Sequence, residues 1–196
     1  MTLPLVVAIT GATGVIYGVE MLRVLKGLGV QTHLILSEAA GMNLAIETDV
    51  SLDEVRSLAD VVYNNRDVGA AVASGSFRTR GMIVAPCTVK TLSAIANSFT
   101  TNLVVRAADV QLKEGRKLVL MVRETPLHKG HLELMARAAD CGAVILPPMP
   151  AFYHRPATIM DIVHQSIGKA LDQVGVEHDL FRRWSGHGES ARLHAI

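Results

Sequence analysis

Five times in this chain a short apolar run of strand-forming residues ends in a segment of small, hydroxyl-bearing or charged residues. Residues 5–9 lead into Thr10-Gly11-Ala12-Thr13-Gly14, and residues 32–36 into Ser37-Glu38. Residues 82–85 lead into Pro86-Cys87-Thr88-Val89-Lys90-Thr91, and residues 118–122 into Arg123-Glu124-Thr125-Pro126. Residues 143–146 end in Pro147-Pro148-Met149-Pro150-Ala151-Phe152-Tyr153. Runs that are apolar throughout, rather than alternating, suit strands covered on both faces. Helical periodicity fills the intervals: Val15, Val19, Leu22 and Leu25 recur at helix spacing until Gly27 and Gly29. Strand and helix alternating at this pitch predict an α/β domain, a three-layer αβα sandwich on a mostly parallel sheet with right-handed crossovers. In such a sheet the segments after the strands emerge together at the carboxyl edge, where ligands bind.

Further helices are predicted over 38–47, 91–96, 102–113, 127–139 and 158–173. Residues 51–63 are mixed, with Ser51 and Glu54 at capping-box spacing, and 69–80 read as a loop with room for one short strand. The length of 196 residues fits one domain, taken as 1–185 with a flexible tail over 186–196. Aromatic residues make up only 4%, so the core must be aliphatic and alanine-rich. A formal charge of +1 gives no electrostatic footprint for nucleic acid or a membrane surface. No apolar run approaches the roughly 20 residues of a membrane span, and the first residues carry no signal-peptide pattern. Two cysteines cannot form a disulfide framework, which suits a cytoplasmic location. A mean hydropathy of +0.31 with alanine-rich helices predicts a homo-oligomer that hides apolar surface.

The chemistry-bearing residues favour a phosphorylated small molecule. Gly11-Ala12-Thr13-Gly14 joins a strand to a helix, where free N–H groups and the positive helix end attract a phosphate. The same residues also make a plain tight turn, and the dinucleotide fingerprint G-x-G-x-x-G is absent. Thr88-Val89-Lys90-Thr91 repeats the device with a lysine and two hydroxyls; Thr88, like Ser37, also reads as a simple N-cap. Arg106 and Lys113 lie seven apart on one helical face. An arginine inside Leu103-Val104-Val105-Arg106-Ala107-Ala108 is costly to bury without an anion. Arg123-Glu124 offers a bidentate phosphate anchor beside a carboxyl able to move protons. Tyr153 and Lys169 add a phenol and a cation. His128 and His131 are three apart and near Glu133, but no third ligand stands at a recognised zinc spacing, so no metal is expected. Cys87 has no identifiable base partner and reads as a packed thiol.

Taken in order, Gly11-Ala12-Thr13-Gly14, Ala73-Ser74-Gly75-Ser76, Pro86-Cys87-Thr88-Val89-Lys90-Thr91, Arg106-Ala107-Ala108-Asp109-Val110, Arg123-Glu124-Thr125-Pro126-Leu127, His131-Leu132-Glu133 and Pro148-Met149-Pro150-Ala151-Phe152-Tyr153 resemble the UbiX-like flavin prenyltransferase family. Ser76-Phe77-Arg78-Thr79 is similar to the branch of that family associated with phenolic acid decarboxylases. The resemblance implies a flavodoxin-like domain that binds reduced FMN and dimethylallyl phosphate, or the diphosphate, and needs no metal. It implies prenylation of flavin N5 and C6, delivery of prenylated FMN to a UbiD-type decarboxylase, and a dodecamer with sites at subunit contacts. It puts FMN on Gly11, Ala12, Thr13, Ser37, Thr88, Val89, Lys90, Thr91 and Arg123. It puts the prenyl phosphate on Arg106, Lys113, Arg123, Glu124, Tyr153 and Lys169, with Glu47 near the site and Trp184 over the allyl group. Glu124 is the expected proton shuttle. A non-catalytic subunit that holds and loads FMN is the alternative. An oxidative decarboxylase of peptidyl-cysteine type is disfavoured, because neither a histidine between Gly14 and Gly27 nor an Asn-rich motif near Gly142 is present.

Overall fold

The computed structural model describes residues 3–184 and 186. Six strands form one parallel sheet: β1 (Leu5–Ile9), β2 (Thr32–Leu36), β3 (Val61–Asn64), β4 (Gly81–Cys87), β5 (Lys117–Val122) and β6 (Ala143–Ile145). Among the described residues seven helices flank the sheet: α1 (Ile16–Gly27), α2 (Glu38–Glu47), α3 (Leu52–Ser57), α4 (Val89–Ala96), α5 (Leu103–Lys113), α6 (Lys129–Asp140) and, after the last strand, α7 (Ile159–Gln173). The strand order β3-β2-β1-β4-β5-β6 reverses direction between β1 and β4. This is the αβα sandwich expected, with the switch point of a doubly wound Rossmann-like sheet.

Period-two alternation along β1 explains the two cores. Leu5, Val7 and Ile9 face one layer with Val19, Leu22 and Leu25 of α1 and Ile167 and Leu171 of α7. Val6 and Ala8 face the other, with Leu92 and Ile95 of α4 and Leu103, Ala107 and Ala108 of α5. Both faces of the sheet are thus dry, which is why its strands carry no polar alternation. Full burial of each such aliphatic side chain is worth about 1.5–3 kcal/mol.

Three segments differ from the sequence reading. β3 lies within the stretch read as mixed, because Val61-Val62-Tyr63-Asn64 is an edge strand with alternating burial. The loop over 69–80 holds no strand but a single 3₁₀ turn, Ala71–Ala73. Arg116 donates to the carbonyls of Phe77 (2.8 Å) and Gly75 (2.6 Å), so side chains rather than a ladder satisfy this backbone. Ser51 does cap α3, accepting from Glu54 N at 3.1 Å. The Glu54 carboxylate, however, goes to Arg23 at 2.9 Å. The expected tail beyond 186 lies outside the described residues.

One buried group has a pH consequence. His33 on β2 is 5% exposed. Its Nδ1 lies 2.9 Å from the Tyr63 hydroxyl. Burial holds its pKa below the ordinary 6.5, against the opposing pull of Asp60. The unfolded chain therefore takes this proton first, so the stability contribution is complete above pH 6.5 and declines as pH falls through that value. Urea midpoints measured from about pH 7.5 down to about pH 5 should fall, and His33→Gln should flatten that slope.

Candidate functional site

At the β1/β4 switch point the carboxyl edge opens into a cleft of about 640 Å³. That volume is in the usual range for a small-molecule site. Three helices begin on its wall, and their N-caps, Ser37 of α2, Thr88 of α4 and Asn102 of α5, all line it. Each cap accepts the third N–H of its helix: Ser37 from Ala40 (3.1 Å), Thr88 from Thr91 (3.0 Å) and Asn102 from Val105 (3.1 Å). Capping thus consumes one donor per helix and leaves the earlier N–H groups of α2 and α4, while the positive dipole ends of all three helices converge on one space. Lys90 adds a charge at the rim, and among the described residues neither Lys90 nor Arg123 pairs with a carboxylate. This donor-rich, cationic cleft fits a phosphorylated ligand.

Thr10 holds two walls together. Its hydroxyl donates to Pro86 O at 2.7 Å and accepts from Thr88 N at 2.9 Å, so the turn after β1 and the start of α4 move as one. Gly11 is squeezed against α2; a Cβ there would lie 2.3 Å from the Ala39 Cβ. Asn43 donates to Gly11 O at 2.9 Å and fixes the same turn.

The sequence-predicted residues fall into separate places. Gly11, Ser37, Thr88, Lys90 and Thr91 line the cleft, whereas Ala12, Thr13 and Val89 flank it without lining it. The α1 N-terminus, one of the expected phosphate sites, is already held by protein. Glu47 Oε2 accepts from Gly14 N (2.7 Å) and Val15 N (3.1 Å), so an internal carboxylate occupies the positive end. Arg123 and Glu124 stand at the end of β5 outside the cleft. Arg123 lies beside Tyr17 of α1; burial pushes the Tyr17 phenol up, and the Arg123 charge and a Ser166 hydrogen bond pull it back. Glu124 is exposed and accepts from Thr125 N at 2.9 Å.

Arg106 and Lys113 share α5 but not the cleft. Arg106 donates to Ala73 O at 3.1 Å and pairs with Asp109 at 3.2 Å, so the anion its position demanded is internal. Lys113 closes α5 next to its ion-pair partner Glu114, at the amino edge of the sheet just before β5. Tyr153, Lys169 and Trp184 make a third group. Tyr153 and Trp184 rings meet edge to face at 6.3 Å, and Lys169 lies 3.8 Å from Asp172.

Sequence reasoning missed Asn64, Asn65 and Arg66, which line the cleft after β3. Asn65 accepts the first two N–H groups of α5, Leu103 N on its carbonyl (2.8 Å) and Val104 N on Oδ1 (3.0 Å). The signal was available, since Val61-Val62-Tyr63 is a sixth apolar run ending in polar residues. His128 and His131 stack at 3.6 Å, while Glu133 pairs with Lys129 at 3.4 Å. Among the described residues no group of three or more His, Cys, Asp or Glu side chains is placed for a metal. Cys87 is buried and its thiol is pushed up to about 12 by that burial. Native protein treated with iodoacetamide at neutral pH should be labelled at the exposed Cys141 and not at Cys87, as peptide mass mapping would show.

Residues 2–170 match the protein family described as Flavoprotein. Flavin prenyltransferase UbiX of Thauera aromatica is 58% identical over 185 residues, covering 94% of this chain and 95% of that protein. The chain belongs to the UbiX flavin prenyltransferase family. Membership of that family makes it a transferase. Among solved structures, AnUbiX (PadA1) in complex with FMN and dimethylallyl pyrophosphate has a TM-score of 0.94 and 47% identity, covering 96% of this chain and 100% of that one. A dodecameric FMN-dependent UbiX-like decarboxylase from Escherichia coli O157:H7 has a TM-score of 0.91 and 49% identity, over 93% of this chain and 100% of the other. No helix among the described residues is long and apolar enough to cross a membrane.

Proposed function

We propose that this UbiX-family chain transfers a dimethylallyl group from dimethylallyl phosphate to N5 and C6 of reduced FMN, and that residues 1–185 act as one flavin-binding unit. The observation that carries this reading is the cleft at the switch point, walled by three helix N-termini, in a chain alike along its length to a protein solved with FMN and dimethylallyl pyrophosphate. When bound, the reduced flavin supplies the two nucleophilic atoms. Ser37, Thr88, Lys90, Thr91 and the first N–H groups of α2 and α4 hold its phosphate and hydroxyls. Glu47 fixes the Gly14 turn by holding two N–H groups, a supporting role rather than a direct one.

The allyl–oxygen bond breaks only if cations take up the charge developing on the departing phosphate. Arg106, Lys113, Arg123 and Lys169 are the candidate cations, and Tyr153 is a further donor. Glu124, with one oxygen engaged by Thr125 N, keeps the other for the proton released on ring closure. Trp184 offers the π face that an allyl cation favours. One protomer spreads these groups over three places, so the site is complete only when several copies meet. The dodecameric assembly of the E. coli O157:H7 relative supports a homo-oligomer here. The product, prenylated FMN, passes to a UbiD-type decarboxylase in the cytoplasm, a location that the two free thiols suit.

The deciding experiment incubates the purified protein anaerobically with reduced FMN and dimethylallyl phosphate, then determines the mass of the released flavin. A flavin heavier by one five-carbon unit, with phosphate released in equal amount, is expected. Recovery of unmodified FMN alone would refute catalysis, and tight FMN binding without product would point to a loading subunit.

A further inference from the structure

The last described segment is pinned to α7 by a set of contacts that the transfer reaction does not itself require. The imidazole of His178 is buried; its Nδ1 accepts from Leu180 N at 3.3 Å, which places the ring proton on Nε2. Nε2 donates to Gly168 O at 2.9 Å and lies 3.2 Å from Asp172 Oδ1. A Cβ at Gly168 would come within 2.5 Å of the Phe181 ring and 2.6 Å of His178, so only glycine on α7 admits the segment this closely. Arg183 donates to both oxygens of Asp172, at 2.7 and 3.0 Å, while its guanidinium sits 5.4 Å over the Phe181 ring. The next residue is Trp184, edge-on to Tyr153 at 6.3 Å. A bidentate guanidinium–carboxylate pair fixes orientation as well as distance.

We infer that Asp172 is a positioning residue: by gripping Arg183 it holds the C-terminal segment that sets the indole of Trp184 against Tyr153. The inference rests on the reading above, in which Trp184 and Tyr153 face the prenyl group. Trp184 is 61% exposed in the protomer, and the Asp172–Arg183 pair constrains its backbone from one residue away. The Arg183 hydrogen bonds, ahead of any charge effect, hold the Asp172 carboxyl below its ordinary range, so the grip is in place at neutral pH. A π face that meets charge only as the allyl bond breaks contributes to the transition state and little to substrate binding. Loss of the grip therefore lowers kcat and leaves KM for both substrates in place.

Trp184 is the only tryptophan in the chain, which gives a substrate-free readout. In the full-length protein, Arg183→Gln and Asp172→Asn should each lower the fluorescence anisotropy of the indole and weaken its near-ultraviolet circular dichroism. Each should cut kcat by about tenfold, with KM for reduced FMN and dimethylallyl phosphate nearly unchanged. Arg183→Lys should recover only part of both signals, and Asp172→Asn combined with Trp184→Phe should be no slower than the slower single variant. Unchanged anisotropy in both single variants would overturn the grip. Lowered anisotropy with an unchanged kcat would overturn its role in the reaction. Because Asp172 is part of α7 and also meets His178 and Lys169, Arg183→Gln on the exposed segment guards against simple misfolding. Absence of turnover in the parent chain would overturn the prenyl-transfer reading instead, while the anisotropy would still decide the grip.

Discussion

Lys113→Ala and Glu124→Ala are each expected to cut turnover by about a thousandfold, yet oligomers assembled from both variants together are expected to work again. Lys113 ends α5 at the amino edge of the sheet, and Glu124 follows β5 at the carboxyl edge. The six residues of β5 between them span about 20 Å. No side chain bridges that gap within one protomer, so a site using both must draw them from different copies. If it does, each variant retains what the other lacks. In a random equal mixture about a quarter of the sites would carry both residues intact, as symmetric assembly of independent chains requires. Co-expression with two affinity tags, tandem purification and a turnover assay would measure this. Mixed oligomers of native mass that stay inactive would show that the two residues do not meet at one site.

The same pair marks where the sequence ceased to be legible. Strand positions were readable because both faces of the sheet are dry, which leaves apolar runs such as Leu5–Ile9 that no surface element would carry. Caps were readable because Ser37, Ser51 and Thr88 each sit just before a helix and accept one of its N–H groups. The cleft was readable in part, since the rule that strands end in polar residues located Gly11, Ser37 and Thr88. β3 escaped because its apolar run, Val61-Val62-Tyr63, is only three residues long and follows closely on a short capped helix. Helical spacing fixes which face Arg106 shares, not which anion it meets; within the protomer it pairs with Asp109, three residues on. Glu47 could not have been placed on the α1 N-terminus by pattern, because that contact joins positions 33 residues apart through tertiary packing alone. Spacing along α5 puts Arg106 and Lys113 on one face, but what that face meets depends on chains that one sequence does not display.

Gly11→Ala should abolish tight flavin binding, and Ala39→Gly added to it should restore much of the loss. A Cβ on Gly11 would lie 2.3 Å from the Ala39 Cβ and 3.1 Å from the Ala39 carbonyl carbon, so part of the conflict is with backbone. Neither the turn nor α2 yields easily. Gly11 O is held by Asn43, and the neighbouring Thr10 is tied to Pro86 and Thr88. Strain of this kind costs about 1–3 kcal/mol of stability, which a domain of this size survives. The effect on binding should be larger. The displaced first turn of α2 carries Ser37, whose cap and free N–H groups form one wall of the cleft. Loss of two or three phosphate donors would weaken FMN binding by at least about a hundredfold. Removing the Ala39 methyl leaves only the 3.1 and 3.3 Å backbone contacts, so the double variant should fold near normally and regain most of its affinity. Flavin fluorescence titration beside thermal unfolding would separate the two effects. If Gly11→Ala bound FMN normally while its melting temperature fell, the turn after β1 would be structural, and the flavin phosphate would have to sit elsewhere.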